Sequence, residues 1–292
     1  MQSLWILAAS FLFSLMAVFI KFGVEDFGTC ELIFYRSIVG AFVIFIFTVL
    51  KGYSLKTDHF ISHMKRSCAG TVSMSLWFIS LTMLSVGTSL TLSYTSPLFM
   101  GAFVTLMALL KRESVPWRLI GLIALGFSGI VIILQPSFAG DDQLLGAILA
   151  LASAMLAVVA YWQIKELGQL KEPSWRIVFY FTLFGTFYGL FGCLLFEGGF
   201  SPVTFNNVGW IIGIALTATL AQCALTMAFG RGNVLLTSCL QFSAIIFAEI
   251  FAVVFFHESV SLMAMIGMAI IMVAGVSSTV ITKQMEKHST KS

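Results

Sequence analysis

The most prominent pattern along the chain is a succession of long apolar segments separated by short polar ones. A bilayer core about 30 Å thick requires about 20 consecutive apolar residues for one spanning helix. Segments of this kind follow one another along the whole chain, which predicts ten transmembrane helices. Their predicted bounds are Leu4–Ile20, Leu32–Leu50, Cys68–Leu84, Leu90–Leu110, Trp117–Leu134, Leu144–Ile164, Ile177–Phe196, Val208–Phe229, Val234–Phe256 and Leu262–Ile281.

The composition points to the same class of protein. Apolar residues make up 59% of the chain and charged residues 10%, whereas charged residues are about a quarter of a soluble domain. The apolar segments are continuous and too long for the alternating strands of a membrane barrel. We therefore predict an all-α integral membrane protein. The first segment lacks a basic region before Leu4 and a cleavage site, so we interpret it as an uncleaved span.

The basic residues are distributed unevenly between the polar segments. If the N-terminus lies in the cytoplasm, the ten spans place all but two of the 16 lysines and arginines on the cytoplasmic side, Arg66 among them. Only Lys21 and Arg36 fall on the opposite side. Cytoplasmic segments of membrane proteins carry an excess of Lys and Arg, so this distribution predicts that both termini are cytoplasmic.

The two halves of the chain share motifs at a nearly constant offset. Ile33–Phe42 aligns with Val178–Phe187 at an offset of 145 residues, and Leu81–Met83 with Leu225–Met227 at 144. Because each half has five spans, an odd number, the second half must cross the membrane in the opposite direction. Such inverted repeats recur in secondary transporters. The predicted units are a first five-helix repeat at 1–136, a second at 140–282 and a cytoplasmic tail at 283–292.

A proline interrupts the fourth predicted span near its start. Pro97 removes a backbone donor and clashes with the preceding turn, and Tyr94, Thr95 and Ser96 supply polar groups at the same place. Backbone groups freed in a membrane need another partner. We predict a kinked helix end that lines a substrate cavity; a static kink used for packing is the alternative.

Polar residues recur at helical spacing on other spans and predict the rest of the cavity. Ser73, Trp77 and Ser80 lie on one face of the third span, where a buried indole can stack on a planar substrate. The alternative is that the hydroxyl groups bond to their own helix backbone. The other candidates for substrate binding are Ser14 in the first span, Gln222 and Thr226 in the eighth, and Gln241 in the ninth.

Four charged residues in or beside the spans receive separate interpretations. Glu249 lies within an apolar run, where a charge costs about 2.5–3.5 kcal/mol or more. We predict that it couples transport to a proton; a neutral, hydrogen-bonded Glu that only packs is the alternative. Arg36 is expected to be structural and to reach the outer interface by snorkelling. Glu113 and Glu258 are expected to close helix hairpins and interact with the following helix starts.

Motifs of other functional classes are missing from the sequence. It has no Gly-x-x-x-x-Gly-Lys-Ser/Thr motif for nucleotide binding, and its five cysteines show neither metal-ligand nor disulfide spacing. The four histidines lie in predicted loops or in the tail, which argues against an enzyme. We predict no cofactor, no metal and no nucleic acid partner. The expected partners are a small-molecule substrate and membrane lipid, and the oligomeric state is left open.

These features together resemble the EamA-type, ten-span members of the drug/metabolite transporter superfamily. The resemblance rests on the paired five-helix halves, on Tyr94–Pro97 at the start of the fourth span, and on Glu113 and Glu258 after the fourth and ninth. It implies an inner-membrane carrier of bacterial type whose cavity is formed mainly by the third, fourth, eighth and ninth helices, with the first and sixth beside it. Leu240–Phe242 stands where many members carry a second proline, so we expect a ninth helix straighter than the fourth.

The resulting hypothesis is a secondary transporter that works by alternating access. The few charges and the aromatic and neutral polar candidates suit amino-acid-like or amphipathic metabolites, drugs included. The resemblance favours export, and uptake or exchange of a nucleotide-like cofactor or vitamin is the alternative. A membrane-embedded enzyme, a channel or a non-transporting scaffold has less support in the sequence.

Overall fold

The computed structural model describes residues 2–110, 117–133, 141–232, 234–257 and 261–289, and every regular element in them is helical. A short 3-10 turn, Gln2–Leu4, precedes the first α-helix. The α-helices are α1 Trp5–Gly23, α2 Thr29–Lys51, α3 Phe60–Met83, α4 Val86–Ser93, α5 Ser96–Leu110, α6 Trp117–Ile133, α7 Asp141–Gln169, α8 Ser174–Phe196, α9 Val208–Arg231, α10 Val234–Gln241, α11 Ser243–Phe256 and α12 Leu262–Ser289.

The helices match the ten predicted spans once two of them are counted as interrupted. α4 and α5 form the fourth span, and α10 and α11 form the ninth. The prediction of an all-α, ten-helix membrane fold is confirmed. In the described part of the chain, six helical stretches are long and apolar enough to cross a membrane: Gln2–Gly23, Thr29–Lys51, Asp142–Gln169, Ser174–Phe196, Val208–Arg231 and Leu236–Phe256.

The helix pairs follow the symmetry expected of an inverted repeat. α3, the third span, packs along α7, the sixth, and α1, the first span, packs along α9, the eighth. Exchange of the two halves of the chain turns one of these pairs into the other. The second span, α2, packs along the seventh, α8, and the fifth, α6, packs along the tenth, α12; exchange of the halves leaves each of these two pairs unchanged. The predicted junction at residues 136–140 lies outside the described residues. α12 extends to Ser289, into the segment predicted to be a tail.

Both halves contain an interrupted helix at corresponding places. The fourth span breaks at Tyr94 and Thr95, and the ninth breaks at the single residue Phe242. The lack of a second proline therefore does not make the ninth helix continuous, although its break is one residue shorter. Pro97 is the second residue of α5, a position at which the missing backbone donor would have had no helical partner.

Glycines allow close packing where α6 meets α12 and where α2 meets α8. A side chain at Gly129 would lie 2.9 Å from the Gly267 carbonyl oxygen, and one at Gly189 would lie 2.6 Å from the Phe34 backbone nitrogen. Small residues let membrane helices approach closely, because lipid provides no hydrophobic drive between them. α6 with α12 and α2 with α8 meet in this way, while large apolar side chains such as Phe42 and Leu195 are exposed on the outside.

A buried polar cluster joins the helix ends at one end of the bundle. Glu172, between α7 and α8, accepts hydrogen bonds from Thr57 Oγ1 at 2.6 Å and Arg176 Nη1 at 2.9 Å. The His63 imidazole nitrogen Nε2 lies 3.6 Å from the same carboxylate. Burial alone raises the pKa of Glu172, but the two hydrogen bonds and the charge of Arg176 outweigh it and hold the pKa below the usual 4.5.

At the opposite end, a second carboxylate caps a helix. Glu197, at the end of α8, accepts hydrogen bonds from the Cys30 and Glu31 backbone nitrogens in the first turn of α2, at 2.8 and 3.0 Å. A negative charge at a helix N-terminus is favourable, because the unpaired N–H groups and the helix dipole both point at it. The two carboxylates, Glu172 and Glu197, thus fix the ends of α8 against its neighbours in the bundle.

Candidate functional site

A cavity lies in the middle of the bundle, between helices of both halves. We call it the central cavity. Its described lining residues are Phe13, Arg36, Arg66, Gly70, Ser73, Met74, Trp77, Ser93, Tyr94, Ser153, Ala157, Ala160, Tyr161, Phe181, Gln222 and Leu225.

Two packed helices supply most of this lining through the helical repeat. Positions i, i+4, i+7 and i+8 of a helix lie on one face, and both α3 and α7 use this spacing. The Ser73 hydroxyl donates to the Ser153 carbonyl oxygen at 2.8 Å and joins the two helices. The lining residues of α3 are Arg66, Gly70, Ser73, Met74 and Trp77, and those of α7 are Ser153, Ala157, Ala160 and Tyr161.

Two arginines from different helices meet at one phenylalanine in the wall of the cavity. The guanidinium carbon of Arg66 lies 4.1 Å from the centre of the Phe181 ring, and that of Arg36 lies 5.7 Å from it. Both arginines are 3% exposed. Arg36 lies about two turns into α2 and Arg66 slightly less than two turns into α3, and the two helices run in opposite directions. Their side chains therefore converge from opposite ends of the bundle.

Aromatic groups occupy the other side of the cavity. The Tyr161 ring stacks on Phe229 at 4.5 Å with an interplanar angle of 12°, and its hydroxyl accepts a hydrogen bond from Gln241 Nε2 at 3.0 Å. Trp77 is 9% exposed, and its indole Nε1 has no hydrogen-bond partner in the described part of the chain. A buried N–H of this kind is a donor that a bound molecule can use.

Four of the predicted substrate-binding residues line the central cavity, namely Ser73, Trp77, Tyr94 and Gln222. The structure places the other candidates behind the lining, where most of their polar groups bond within the protein. Ser14 donates to the Ser10 and Ala244 carbonyls, Ser80 to the Trp77 carbonyl and Thr95 to the Leu92 carbonyl. Thr226 accepts from Gln222, Gln241 bonds to Tyr161, and Ser96 and Pro97 are buried at the start of α5.

The position of Arg36 differs from the prediction. We expected its side chain to reach the outer interface, but it turns inward and lines the central cavity. Gly70 and the Phe181 ring together make room for the second arginine, Arg66, because a side chain at Gly70 would collide with the Arg66 guanidinium. Arg66 was assigned to the cytoplasmic face from its place before the third apolar run.

The predicted proton-coupling residue lies away from the central cavity. Glu249, on α11, is half-buried, and its carboxylate packs against Gly87 of α4. Its role in proton coupling stays a prediction. Glu113 and Glu258, which were predicted to be structural, lie outside the described residues.

The helices that form the cavity differ in part from those implied by the resemblance. The third, fourth, first, sixth and eighth spans contribute as expected. None of the described lining residues comes from α10 or α11, the ninth span, whereas α2 and α8 contribute Arg36 and Phe181. The charged residues of the described lining, Arg36 and Arg66, therefore come from the second and third spans.

The comparison with known proteins gives a match over nearly the whole chain. The model of the EamA-like transporter family matches twice, at residues 1–135 and 144–280. The chain belongs to the EamA-like transporter family. It is therefore a multi-pass membrane transporter of the drug/metabolite transporter superfamily, as the resemblance implied. The two matched ranges correspond to the two halves that the internal repeat indicates.

Relatives of this EamA-family protein carry transporter names as well. It is 24% identical over 266 residues to the pseudopaline exporter CntI of Pseudomonas aeruginosa, and the match covers 91% of each chain. It is also 24% identical over 277 residues to an uncharacterized transporter of Helicobacter pylori, covering 92% of this chain and 91% of the other. A solved crystal structure shares the fold with a TM-score of 0.65 at 18% identity, covering 94% of this chain and 98% of that one.

Proposed function

We propose that this EamA-family transporter is a secondary carrier that exports small amino-acid-like or amphipathic metabolites across the bacterial cytoplasmic membrane. The observation that carries the proposal is the central cavity, because its lining comes from both halves of the inverted repeat. A site between two inverted halves can be opened to each side in turn by rocking one half against the other. The substrate then crosses without a continuous pore.

Two further observations support the kind of substrate and the direction. The cavity combines aromatic side chains with hydroxyl, amide and guanidinium groups, which suits a molecule with an apolar body and polar ends. The Pseudomonas aeruginosa relative is named an exporter, and the distribution of basic residues supports cytoplasmic termini. We take export as the working direction.

The test is transport by the purified protein in sealed proteoliposomes. Loaded vesicles are assayed for efflux of radiolabelled amino acids, dipeptides, vitamins and nucleotides. Trp77→Ala should raise the half-saturation concentration about tenfold, equal to about 1.4 kcal/mol of lost binding, because it removes an aromatic surface and a donor from the cavity. Trp117→Ala is the matched control, since that indole is 76% exposed on the outside of the bundle.

Saturable efflux that responds to Trp77→Ala and not to Trp117→Ala supports the proposal. Saturable uptake of a nucleotide-like cofactor or vitamin would keep the carrier mechanism but replace export with the alternative direction. Flux that rises linearly with concentration would indicate a channel, and vesicles that show no flux with any tested compound would indicate a scaffold.

A further inference from the structure

The central cavity holds two positive charges, and its described lining includes no acidic residue. Arg36 and Arg66 are both buried. Within the described residues, the ion pairs join Glu172 to His63 and to Arg176, and neither pair includes a cavity arginine. A pair of uncompensated cations inside a membrane protein is unfavourable. Such residues are therefore typical of a site whose charge is balanced by a bound molecule.

Several hydrogen-bond donors of these arginines have no acceptor among the described residues. Arg36 Nε, Arg66 Nε and Arg66 Nη1 are buried without a hydrogen-bond partner. Arg36 Nη1 contacts the Met74 sulfur, a neutral and weak acceptor that does not balance a charge. The arginines thus keep donors for another molecule.

Both guanidinium groups lie close to the Phe181 ring. This cation–π contact engages the ring face and takes no oxygen acceptor, so it leaves the in-plane N–H donors of the guanidinium groups available. Two parallel N–H groups at the edge of a guanidinium match the two oxygens of a carboxylate.

We propose that Arg36 and Arg66 each bind one carboxylate of an organic dianion, so that the transported substrates of this protein are small dicarboxylates. The aromatic side chains of Trp77, Tyr94 and Phe13 contact the carbon skeleton between the carboxylates. This inference rests on the proposed transport function for the word substrate, but the binding it describes does not depend on transport.

The test is equilibrium binding to the purified protein in lipid nanodiscs, measured by calorimetry. The probes are α,ω-dicarboxylates of four to eight carbons, the monoamide and diamide of each, and inorganic phosphate. We expect the best dicarboxylate to bind at least tenfold more tightly than its monoamide, and the diamides to bind weakest. Each charge-assisted contact of this kind contributes roughly a 10- to 100-fold difference in affinity.

The variants assign the site to the two arginines. Arg36→Gln and Arg66→Gln should each weaken binding of the dicarboxylate roughly 10- to 100-fold and erase most of its advantage over the monoamide. Arg36→Lys and Arg66→Lys keep the charge but lose the fork of donors, so they should show intermediate affinity. Arg231→Gln is the matched control, because Arg231 is exposed at the end of α9.

Three outcomes would overturn the assignment. They are equal affinity for dicarboxylate, monoamide and diamide; phosphate binding as tight as that of the best dicarboxylate; or unchanged affinity in all cavity variants. Binding as expected without any flux in proteoliposomes would overturn the proposed function and leave this site intact. Flux of uncharged compounds alone would keep the transport function and overturn the assignment of dicarboxylates as the substrates.

Discussion

Replacing Arg66 by methionine is expected to stabilise the empty protein. The substitution keeps a long side chain in the space above Gly70 and removes a buried charge whose Nε and Nη1 have no hydrogen-bond partner. Removal of one partner of a buried ion pair is destabilising by about 3–5 kcal/mol, because it leaves the other charge unpaired. The opposite sign is expected for Arg66 because no ion pair among the described residues includes it.

The size of the expected stabilisation follows from three energy terms. The guanidinium carbons of Arg36 and Arg66 lie 5.7 and 4.1 Å from the Phe181 ring centre, so their separation is at most the sum of these distances. At a separation of about 10 Å and an effective dielectric constant of about 20, their repulsion is about 1.7 kcal/mol. The substitution removes this repulsion, but it also removes the cation–π contact, which costs about 2 kcal/mol. These two terms nearly cancel. Relief of the desolvation of Arg66, several kcal/mol in a dry site and less in a hydrated one, leaves a net stabilisation of about 1–3 kcal/mol.

The assay is thermal unfolding of the purified protein in detergent without ligand. The apparent melting temperature of Arg66→Met should exceed that of the parent by roughly 3–6 °C, and Arg231→Met should differ little, as surface substitutions do. Addition of a tightly binding dicarboxylate should then stabilise the parent, because a ligand that binds the folded state raises its stability, but at the same concentration it should stabilise the variant much less. A melting temperature of Arg66→Met several degrees below that of the parent would refute the reasoning, since it would show that the guanidinium supports the fold.

Three other substitutions test separate parts of the structure. Glu172→Gln should lower the free energy of unfolding by about 2 kcal/mol, because charge-assisted hydrogen bonds such as the one from Arg176 are lost. The folded-state pKa of Glu172 is depressed below 4.5. The stabilisation by Glu172 is therefore fully present above pH 4.5 and disappears as the pH falls through the folded pKa. An equal difference in thermal stability between parent and variant at every pH would contradict this. Glu249→Gln should change the pH dependence of transport while the protein still folds, and identical pH profiles would remove the proton-coupling hypothesis. Gly70→Ala should displace the Arg66 guanidinium and weaken dicarboxylate binding about tenfold, as measured by calorimetry, whereas unchanged affinity would mean that the guanidinium has room elsewhere.

The fold could be predicted from the sequence because the physical constraint is strong. Continuous apolar segments of about 20 residues have few structures open to them in a bilayer other than spanning helices. The offset of 145 residues between Ile33–Phe42 and Val178–Phe187, with five spans in each half, indicates an inverted second half. The break at Phe242 had no such signal. No proline or glycine stands at that position, so a continuous helix was the natural expectation.

The candidate site could be predicted only where a helical stripe carried polar residues. Ser73 and Trp77 share a face, and both line the cavity. Arg66 lies about two turns before Ser73, on the same face, but its place at the start of the apolar run suggested the membrane surface. Distance from the end of a span does not give the direction of a long side chain, which here turns inward over Gly70.

Other lining residues carry no distinctive signal in the sequence. Phe181 is one of 29 phenylalanines, and its importance arises from two arginines that lie more than a hundred residues before it. Ala157 and Ala160 line the cavity only because α7 packs against α3. Tertiary contacts of this kind depend on which helices pair, and the pairing of α3 with α7 follows from the fold of the two halves together.

Alternating access to the central cavity is the central claim, and thiol labelling tests it most directly. The five native cysteines are replaced by serine, and a single cysteine is introduced by Ala157→Cys in the cavity wall. A membrane-impermeant thiol reagent is then added to intact cells or to inside-out vesicles. Ala147→Cys, on the same helix but fully buried outside the cavity lining, is the control. The account predicts that the cysteine at position 157 reacts from both sides and is protected by a saturating transported ligand, while the control reacts from neither. Labelling of position 157 from one side only, whatever ligand is present, would contradict it.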